Sequence, residues 1–279
     1  MLFNSINTNA QSLIALQSLN ITNDQLSTTQ KRVSTGFRVS DARDDGGAFA
    51  VAQSVRSDMA GVVAVNEQLG GIKGILETTF AALSVVSDTM KQLRATLTRL
   101  ADGAISSEQR TAYAEQYTFL AKQVASFVDD ATYNGRTLLS TVSTAIPNGG
   151  NITAIRNEAG GLFTIEAVDG SALKLTATAP TNAAAAQTSI NSGGAFDIAE
   201  AAISKALNQF GASMAFVDSQ ITYNSKKSDA MSNGLGALVD ADLARESSTL
   251  EALKVRQQLG VQTLGLANQG PQVLLGLFR

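Results

Sequence analysis

The sequence predicts a mainly α protein: an elongated, antiparallel, coiled-coil-like helical rod with a small β-hairpin region, and with the N and C termini at the same end. Three observations predict it. Apolar residues recur every seven positions along most of the 279-residue chain, the period of helices that pack along a seam. The period fails in one stretch, at about 140–195, which is rich in Gly, Asn, Ser and Thr and holds Pro147 and Pro180. Helical segments flank that stretch on both sides, and short connections favour antiparallel neighbours, so the chain travels out, turns in the β region and returns.

The first helix carries Leu19, Leu26 and Val33 at heptad spacing, with Ile6, Leu13 and Leu16 ahead of them. The second is the longest. Val55, Val62, Leu69, Leu76, Leu83, Met90 and Leu97 fall seven apart, and Val65, Ile72, Val86, Leu93 and Leu100 form a second stripe with Thr79 as its gap. From about residue 48 to 101 this helix would span about 80 Å, whereas a compact globule of this length has a radius of gyration of roughly 19 Å. Gly70, Gly71 and Gly74 interrupt it, each weakening a helix by about 1 kcal/mol relative to Ala, and mark a bend or a close contact. It stops at Asp102-Gly103. Ser106 and Gln109 then form a capping box for a third helix with Tyr113, Leu120 and Phe127 seven apart, ending before the turn signal Asn134-Gly135.

Beyond it, period two replaces period seven. Leu162 to Val168 and Ala172 to Thr178 read as two strands around Asp169-Gly170. A three-residue loop pairs Ile165 with Leu175, Phe163 with Ala177 and Glu166 with Lys174, matching apolar with apolar and opposite charges with each other. Helical spacing returns with Phe196, Ile203, Phe210 and Val217 and is predicted to stop at Asn233-Gly234. The last helix has Leu243, Leu250 and Leu264 on one stripe, interrupted by Gln257, and Leu253, Gly260, Ala267 and Leu274 on another.

Composition narrows the function. There is no Cys and no His, which removes disulfides, thiolate nucleophiles, thiolate- or imidazole-bound metals and the Ser-His-Asp triad. A carboxylate, Ser-Lys or Tyr enzyme remains open. The net charge is −3 with a pI near 5.1, which argues against a generic nucleic-acid binder. Charged residues make up only 16%, against roughly 25% in ordinary soluble domains. The deficit lies at the two ends. Asp24 is the only charged side chain in the first 30 residues, and residues 257–278 carry none. The first segment has no basic region before an apolar run, so it is not a cleavable secretory signal. The last is broken by Gln257, Gln258, Gln262, Asn268, Gln269 and Pro271, so it is not a membrane span. Both terminal helices therefore have an apolar face, and amides where a globular surface would carry charges, as expected of arms covered by other chains.

Two runs of residues point to a family. At the start stand Ser5-Ile6-Asn7-Thr8-Asn9, Ser12-Leu13-Ile14-Ala15-Leu16 and Leu19-Asn20. They are followed by Gln30-Lys31-Arg32-Val33-Ser34-Thr35-Gly36 and Asp41-Ala42-Arg43-Asp44-Asp45. At the end stand Val239-Asp240-Ala241-Asp242-Leu243-Ala244-Arg245-Glu246, Gln257-Gln258, Leu266-Ala267-Asn268-Gln269 and Leu277-Phe278-Arg279. Together, in this order and at these extremes, they resemble the terminal regions of bacterial flagellin, in a short form lacking large outer domains.

The resemblance implies a structural subunit, not an enzyme, that self-assembles into the flagellar filament for swimming motility and needs no cofactor. It implies export through the flagellar type III apparatus without signal cleavage, and an extracellular location. It also implies a homopolymer with identical or sister flagellins, contacts with cap and hook-associated proteins, and an export chaperone on the C-terminal arm. Residues 1–44 and 235–279 would form the filament-core domain, packed through Ile6, Leu13, Leu16, Leu19, Leu26, Val33, Leu243, Leu250, Leu253, Leu264, Leu274 and Phe278. Residues 45–234 would form the rod domain. A hook–filament junction protein shares the terminal-helix plan and is the nearest alternative; a flagellin-like cell-surface binding protein is another. In the region corresponding to the family's innate-receptor site, Arg94 matches, but Ala95 replaces the expected Glu, which implies weak receptor recognition.

The cluster Asp41, Arg43, Asp44 and Asp45 lacks the spacing and the closing Glu of an EF-hand. It reads instead as a polar joint between the terminal and long helices, with Asp favoured near a helix start, and Asp240 and Asp242 as its equivalent on the return arm.

Overall fold

The computed structural model describes residues 9–141 and 148–276, the side chains of 270–276 excepted. Among these residues the order is α1 (Ala10–Thr35), α2 (Gly46–Leu100), α3 (Ser107–Asp129), β1 (Ile152–Ile155), β2 (Leu162–Ile165), a 3-10 turn (Gly170–Leu173), α4 (Ala183–Ile190), α5 (Ala195–Val239) and α6 (Leu243–Gly276). The chain divides into two compact units, Met1–Ser57 with Ala230–Arg279, and Asp58–Asp229.

The Asp58–Asp229 unit is built on the heptad stripes. Val62, Leu69, Leu76, Leu83, Met90 and Leu97 are buried, as are Val65, Val86, Leu93 and Leu100 of the second stripe. All but Val62 share one core with Tyr117, Leu120 and Val124 of α3 and Phe196, Ile203, Phe210 and Val217 of α5. Thr79, the gap in the second stripe, is buried too, and its hydroxyl donates to the carbonyl of Ile75 at 2.8 Å. Many Thr and Ser hydroxyls bond the carbonyl four residues back in this way, among them Thr22 to Ser18, Thr96 to Gln92 and Thr263 to Leu259.

By length and composition alone, one stretch of α2 is apolar enough to cross a membrane. Its apolar stripes face the unit's own core, while Glu77, Lys91 and Arg94 are exposed; hydrocarbon would need an apolar surface all round. Of Gly70, Gly71 and Gly74, the last marks a close contact: a Cβ there would lie 2.8 Å from Cζ of Tyr133. Tyr133 is held by a two-residue turn, in which it exchanges backbone hydrogen bonds with Arg136 (2.9 and 3.0 Å) across Asn134-Gly135. Both turn residues have positive φ, 49° and 74°, as a type I′ turn requires.

The capping box at Ser106 and Gln109 forms as the sequence predicts, and the β region departs from expectation. Leu162–Ile165 is a strand, but its partner lies upstream: Ile152 pairs with Ile165, Ala154 with Phe163 and Ile155 with Leu162, antiparallel. The predicted pairings of Ile165 with Leu175, Phe163 with Ala177 and Glu166 with Lys174 do not form. Two local bonds explain why. Asp169 accepts from the backbone N–H of Ser171 and curls the next residues into the 3-10 turn, and Gly170 donates to the carbonyl of Leu139 at 3.1 Å. A Cβ on Gly170 would sit 2.2 Å from that carbonyl oxygen, so the approach depends on glycine. Lys174 instead pairs with Asp129.

The short helix α4 inside this region was not predicted; its sequence signals are the N-cap Asn182, which accepts from the N–H of Ala185, and the alanine run behind it. Nor does α5 stop at Asn233-Gly234; it runs on to Val239. The roughly 1 kcal/mol that Gly234 costs a helix is offset because Leu235, Leu238 and Val239 pack with Val39, Phe49 and Ala52 in a second small core.

Candidate assembly surface

In the Met1–Ser57 and Ala230–Arg279 unit, α1 and α6 lie side by side and antiparallel. Asn9 meets Ala267, Ser12 meets Asn268, Asn23 meets Gln257 and Arg32 meets Glu246. The start of α1 therefore lies beside the C-terminal part of α6, in keeping with the predicted fold class. The contacts are mostly polar and local in chemistry. Gln257, the interruption in the α6 stripe, donates to Oδ1 of Asn23 at 2.7 Å. Gly260 leaves room for Leu19, whose Cδ1 would be 3.2 Å from a Cβ at that position.

Asn9 works at both helices. Its Oδ1 accepts from the N–H of Ser12 as the N-cap of α1, and its Nδ2 donates to the carbonyl of Ala267 at 2.7 Å. That carbonyl would ordinarily be bonded by the residue four further on. Here that residue is Pro271, which has no N–H.

The residues expected to pack the filament core divide into three groups. Leu26 and Leu253 are buried between the two helices. Leu19, Val33, Leu250 and Leu264 are half-buried. Leu13, Leu16 and Leu243 are exposed, at 59%, 42% and 49%. Ile6, Phe278 and the side chain of Leu274 lie outside the described residues. Sequence reasoning missed Ile14, Ile21, Val255, Leu259, Val261 and Leu266, all exposed to 52% or more. They sit off the heptad stripes; the signal for Ile14, Ile21, Leu259, Val261 and Leu266 was their place in uncharged stretches, whereas Val255 stands between Lys254 and Arg256 and carried no such signal. Ile14, Ala15, Leu19, Leu259 and Gly260 line an open groove of about 470 Å³ along the pair.

The joint forms around three backbone contacts. Arg38 N–H donates to Val239 O at 2.7 Å, Val39 N–H to the same oxygen at 3.2 Å, and Ala241 N–H to Gly36 O at 2.9 Å. Gly36 has φ 75° and closes α1, a left-handed cap that glycine adopts without strain. The predicted acidic residues gather here, four of them engaged through their carboxylates and Asp240 through its backbone. Asp45 accepts from Ala48 N–H at the start of α2, and Asp242 from Ala244 and Arg245 N–H at the start of α6. Asp240 pairs with Phe37 as an isolated bridge. Asp41 accepts from the Arg43 N–H, which is the part that Arg43 plays. Sequence reasoning missed Lys31, which reaches Asp41 at 2.7 Å and Asp44 at 3.0 Å.

The Lys31 ammonium holds the Asp44 carboxyl well below the usual carboxylate range, helped by bonds from the Ser40 N–H and hydroxyl. It lowers Asp41 as well, with the Arg43 N–H second, and its own pKa is raised, chiefly by Asp41. An Asp lowered in the folded state stabilises folding above its unfolded pKa, about 3.9, and that contribution is lost as pH falls from there through the folded value. The raised Lys31 acts in the opposite direction: its contribution is present below its unfolded pKa, about 10.4, and is lost as pH rises through the folded value. The wild-type protein should therefore lose melting temperature more steeply than Asp44→Asn between pH 5 and 3, and by the same amount between pH 7 and 5. Parallel acid limbs in melts followed by circular dichroism would show that the joint does not depend on Asp44.

Comparison with known proteins fixes the family. The model of the bacterial flagellin N-terminal helical region matches residues 6–144, and that of the C-terminal helical region matches residues 194–278. Flagellin FljK of Caulobacter vibrioides is 34% identical over 282 residues, covering 100% of both chains. The chain belongs to the bacterial flagellin family. A flagellin of Brucella melitensis is 34% identical over 99% of both chains. The crystal structure of Bacillus cereus flagellin shares the fold, with a TM-score of 0.50 at 23% identity over 57% of this chain and 88% of that one. The protein is a structural subunit of the flagellar filament, the polymer that drives swimming, and the full-length matches bear out the short form.

Proposed function

We propose that filament assembly runs through the α1–α6 pair, and that residues 1–44 and 235–279 act as the filament-core domain while residues 45–234 act as the rod domain. One observation carries this reading: Leu13, Ile14, Leu16, Leu259 and Leu266 are exposed on the stretches of α1 and α6, residues 10–23 and 257–276, that carry no charged side chain. Apolar area left in water is worth about 25 cal/mol per Å² when a neighbour covers it, and that gain can meet the ordering cost of the arms on assembly. Leu19, Leu26, Val33, Leu243, Leu250, Leu253 and Leu264 would complete the packing, with Ile6, Leu274 and Phe278 beyond them. Asp41, Arg43, Asp44, Asp45, Asp240 and Asp242 set the angle at which the pair leaves the joint.

The same bare arms suit export. The chain crosses the flagellar type III apparatus unfolded, without loss of a signal segment, with a chaperone on the C-terminal arm beforehand and cap and hook-associated proteins as later contacts. It has no catalytic role, cofactor, nucleic-acid partner or membrane span.

The test is the double substitution Leu13→Asp with Leu16→Asp. Both side chains are exposed in the subunit, so its melting temperature should change by less than about 2 °C, in keeping with a surface change within about 0.5 kcal/mol. Polymerisation, read by sedimentation and electron microscopy, should be lost. Filaments of normal yield would place the assembling surface elsewhere.

A further inference from the structure

The regularity of the heptad stripes leaves one thing undetermined. On α2 an apolar side chain returns every seven residues from Val62 to Leu97, and on α5 from Phe196 to Val217. Sliding one helix past the other by seven residues, about 10 Å, sets apolar against apolar again. Hydrophobic burial alone therefore does not choose the register.

The next place on the α5 stripe breaks the pattern. It is Asn224, seven residues beyond Val217, and it is 0% exposed. Its Nδ2 donates to Oδ1 of Asn66 on α2 at 3.0 Å and to the carbonyl of Arg156 at 3.2 Å, while its Oδ1 accepts from Gln220 Nε2 at 3.0 Å. Gln220 also donates to the Arg156 carbonyl, at 3.0 Å. Arg156 opens the loop that joins β1 to β2, so the amide knot fastens the hairpin tip onto both helices. Two further contacts seat that loop: Glu158 pairs with Lys227, and Gly61 leaves space for the Glu158 backbone and Cβ, 3.7 and 3.0 Å from a Cβ at position 61.

We propose that Asn224 is the residue that sets the register of α2 against α5, with Asn66 and the hairpin loop as its receptor. A shift of seven residues would leave the Asn224 amide buried among apolar side chains, and a buried amide without partners is strongly disfavoured. The other polar contacts in register, Lys73 with Asp218 and Arg94 with Glu200, are partly exposed, and solvent screens such pairs until they contribute little. A buried Asn on an apolar seam is known to fix register at a cost in stability.

The chain contains no Cys, so introduced thiols report without background. Lys73→Cys with Asp218→Cys reads the native register. Lys73→Cys with Ser225→Cys, or with Gly211→Cys, reads a slip of seven residues in either direction. A short bismaleimide should link only the first pair in the otherwise unchanged protein. Adding Asn224→Leu should keep or raise the melting temperature and let a shifted pair link at a tenth or more of the native yield. Should that variant not fold, Asn66→Leu with Asn224→Leu removes both amides and is read the same way. Exclusive native linking after either change would overturn the proposal. So would failure of both variants to fold, because a register determinant lowers stability relative to an apolar pair.

Discussion

Subunits lacking residues 1–30 are expected to form no filaments, while the Asp58–Asp229 unit keeps its helicity and cooperative melting. The truncation removes α1 from Ala10 through Gln30, and with it the partner of α6. Leu253, buried in the intact unit, loses the helix beside it, Gln257 loses Asn23, and the Ala267 carbonyl loses Asn9. An arm of this composition cannot hold a helix in water alone: residues 257–278 have no charged side chain to form supporting pairs, and isolated helices are marginal even with strong formers. The core around Leu76, Leu83 and Phe210 draws nothing from those residues, so far-ultraviolet circular dichroism should fall only by the share of the lost arm. Sedimentation and electron microscopy give the other half of the result. Normal filaments from the truncated chain would end the proposal that the paired arms drive assembly.

Phe210→Ala is expected to destabilise the subunit by about 3–5 kcal/mol, the range for a fully buried Phe replaced by Ala. Phe210 has no exposed surface and lies on the α5 stripe between Ile203 and Val217, inside the core that α2, α3 and α5 share. The hole cannot collapse easily, since long helices on several sides hold its walls. Urea unfolding of the monomeric subunit measures the loss. Leu162→Ala is the control: that side chain is 63% exposed and should cost well under 1 kcal/mol. Equal losses from the two changes would mean that the α5 stripe is not the centre of the core.

The long helices were legible in the sequence because the heptad pattern repeats many times, and one mismatch such as Thr79 cannot hide it; the eight-residue α4 is too short to show a repeat. The hairpin was not. Ile165 finds an apolar partner equally well in Leu175 or in Ile152, and pairing rules weigh only the residues within the hairpin. The deciding bonds run from Val168 and Gly170 back to the carbonyls of Leu138 and Leu139, a contact between segments that sequence spacing does not connect. Asn233-Gly234 misled for a similar reason: it is a stop signal locally, and the packing of Leu235 and Val239 on Val39 that carries the helix through it is remote. At the joint, the acidic residues were readable as helix starts. Lys31 was not, because its two Asp partners meet it only once the chain has turned at Gly36.

The hydroxyls that bond back to their own helix have a bearing on how such a surface can dry. Thr22 is already covered, but Thr28, Thr249 and Thr263 face solvent with their protons given to carbonyls four residues back. A side chain satisfied within its own helix asks nothing of an incoming neighbour. When another copy closes over α1 and α6, water can leave these positions without stranding a donor, whereas a lysine or glutamate in the same place would have to be matched or desolvated. The lack of charge toward the two ends and the hydroxyls already bonded within their own helices are thus two sides of one property: a face that tolerates water beforehand and does not miss it afterwards.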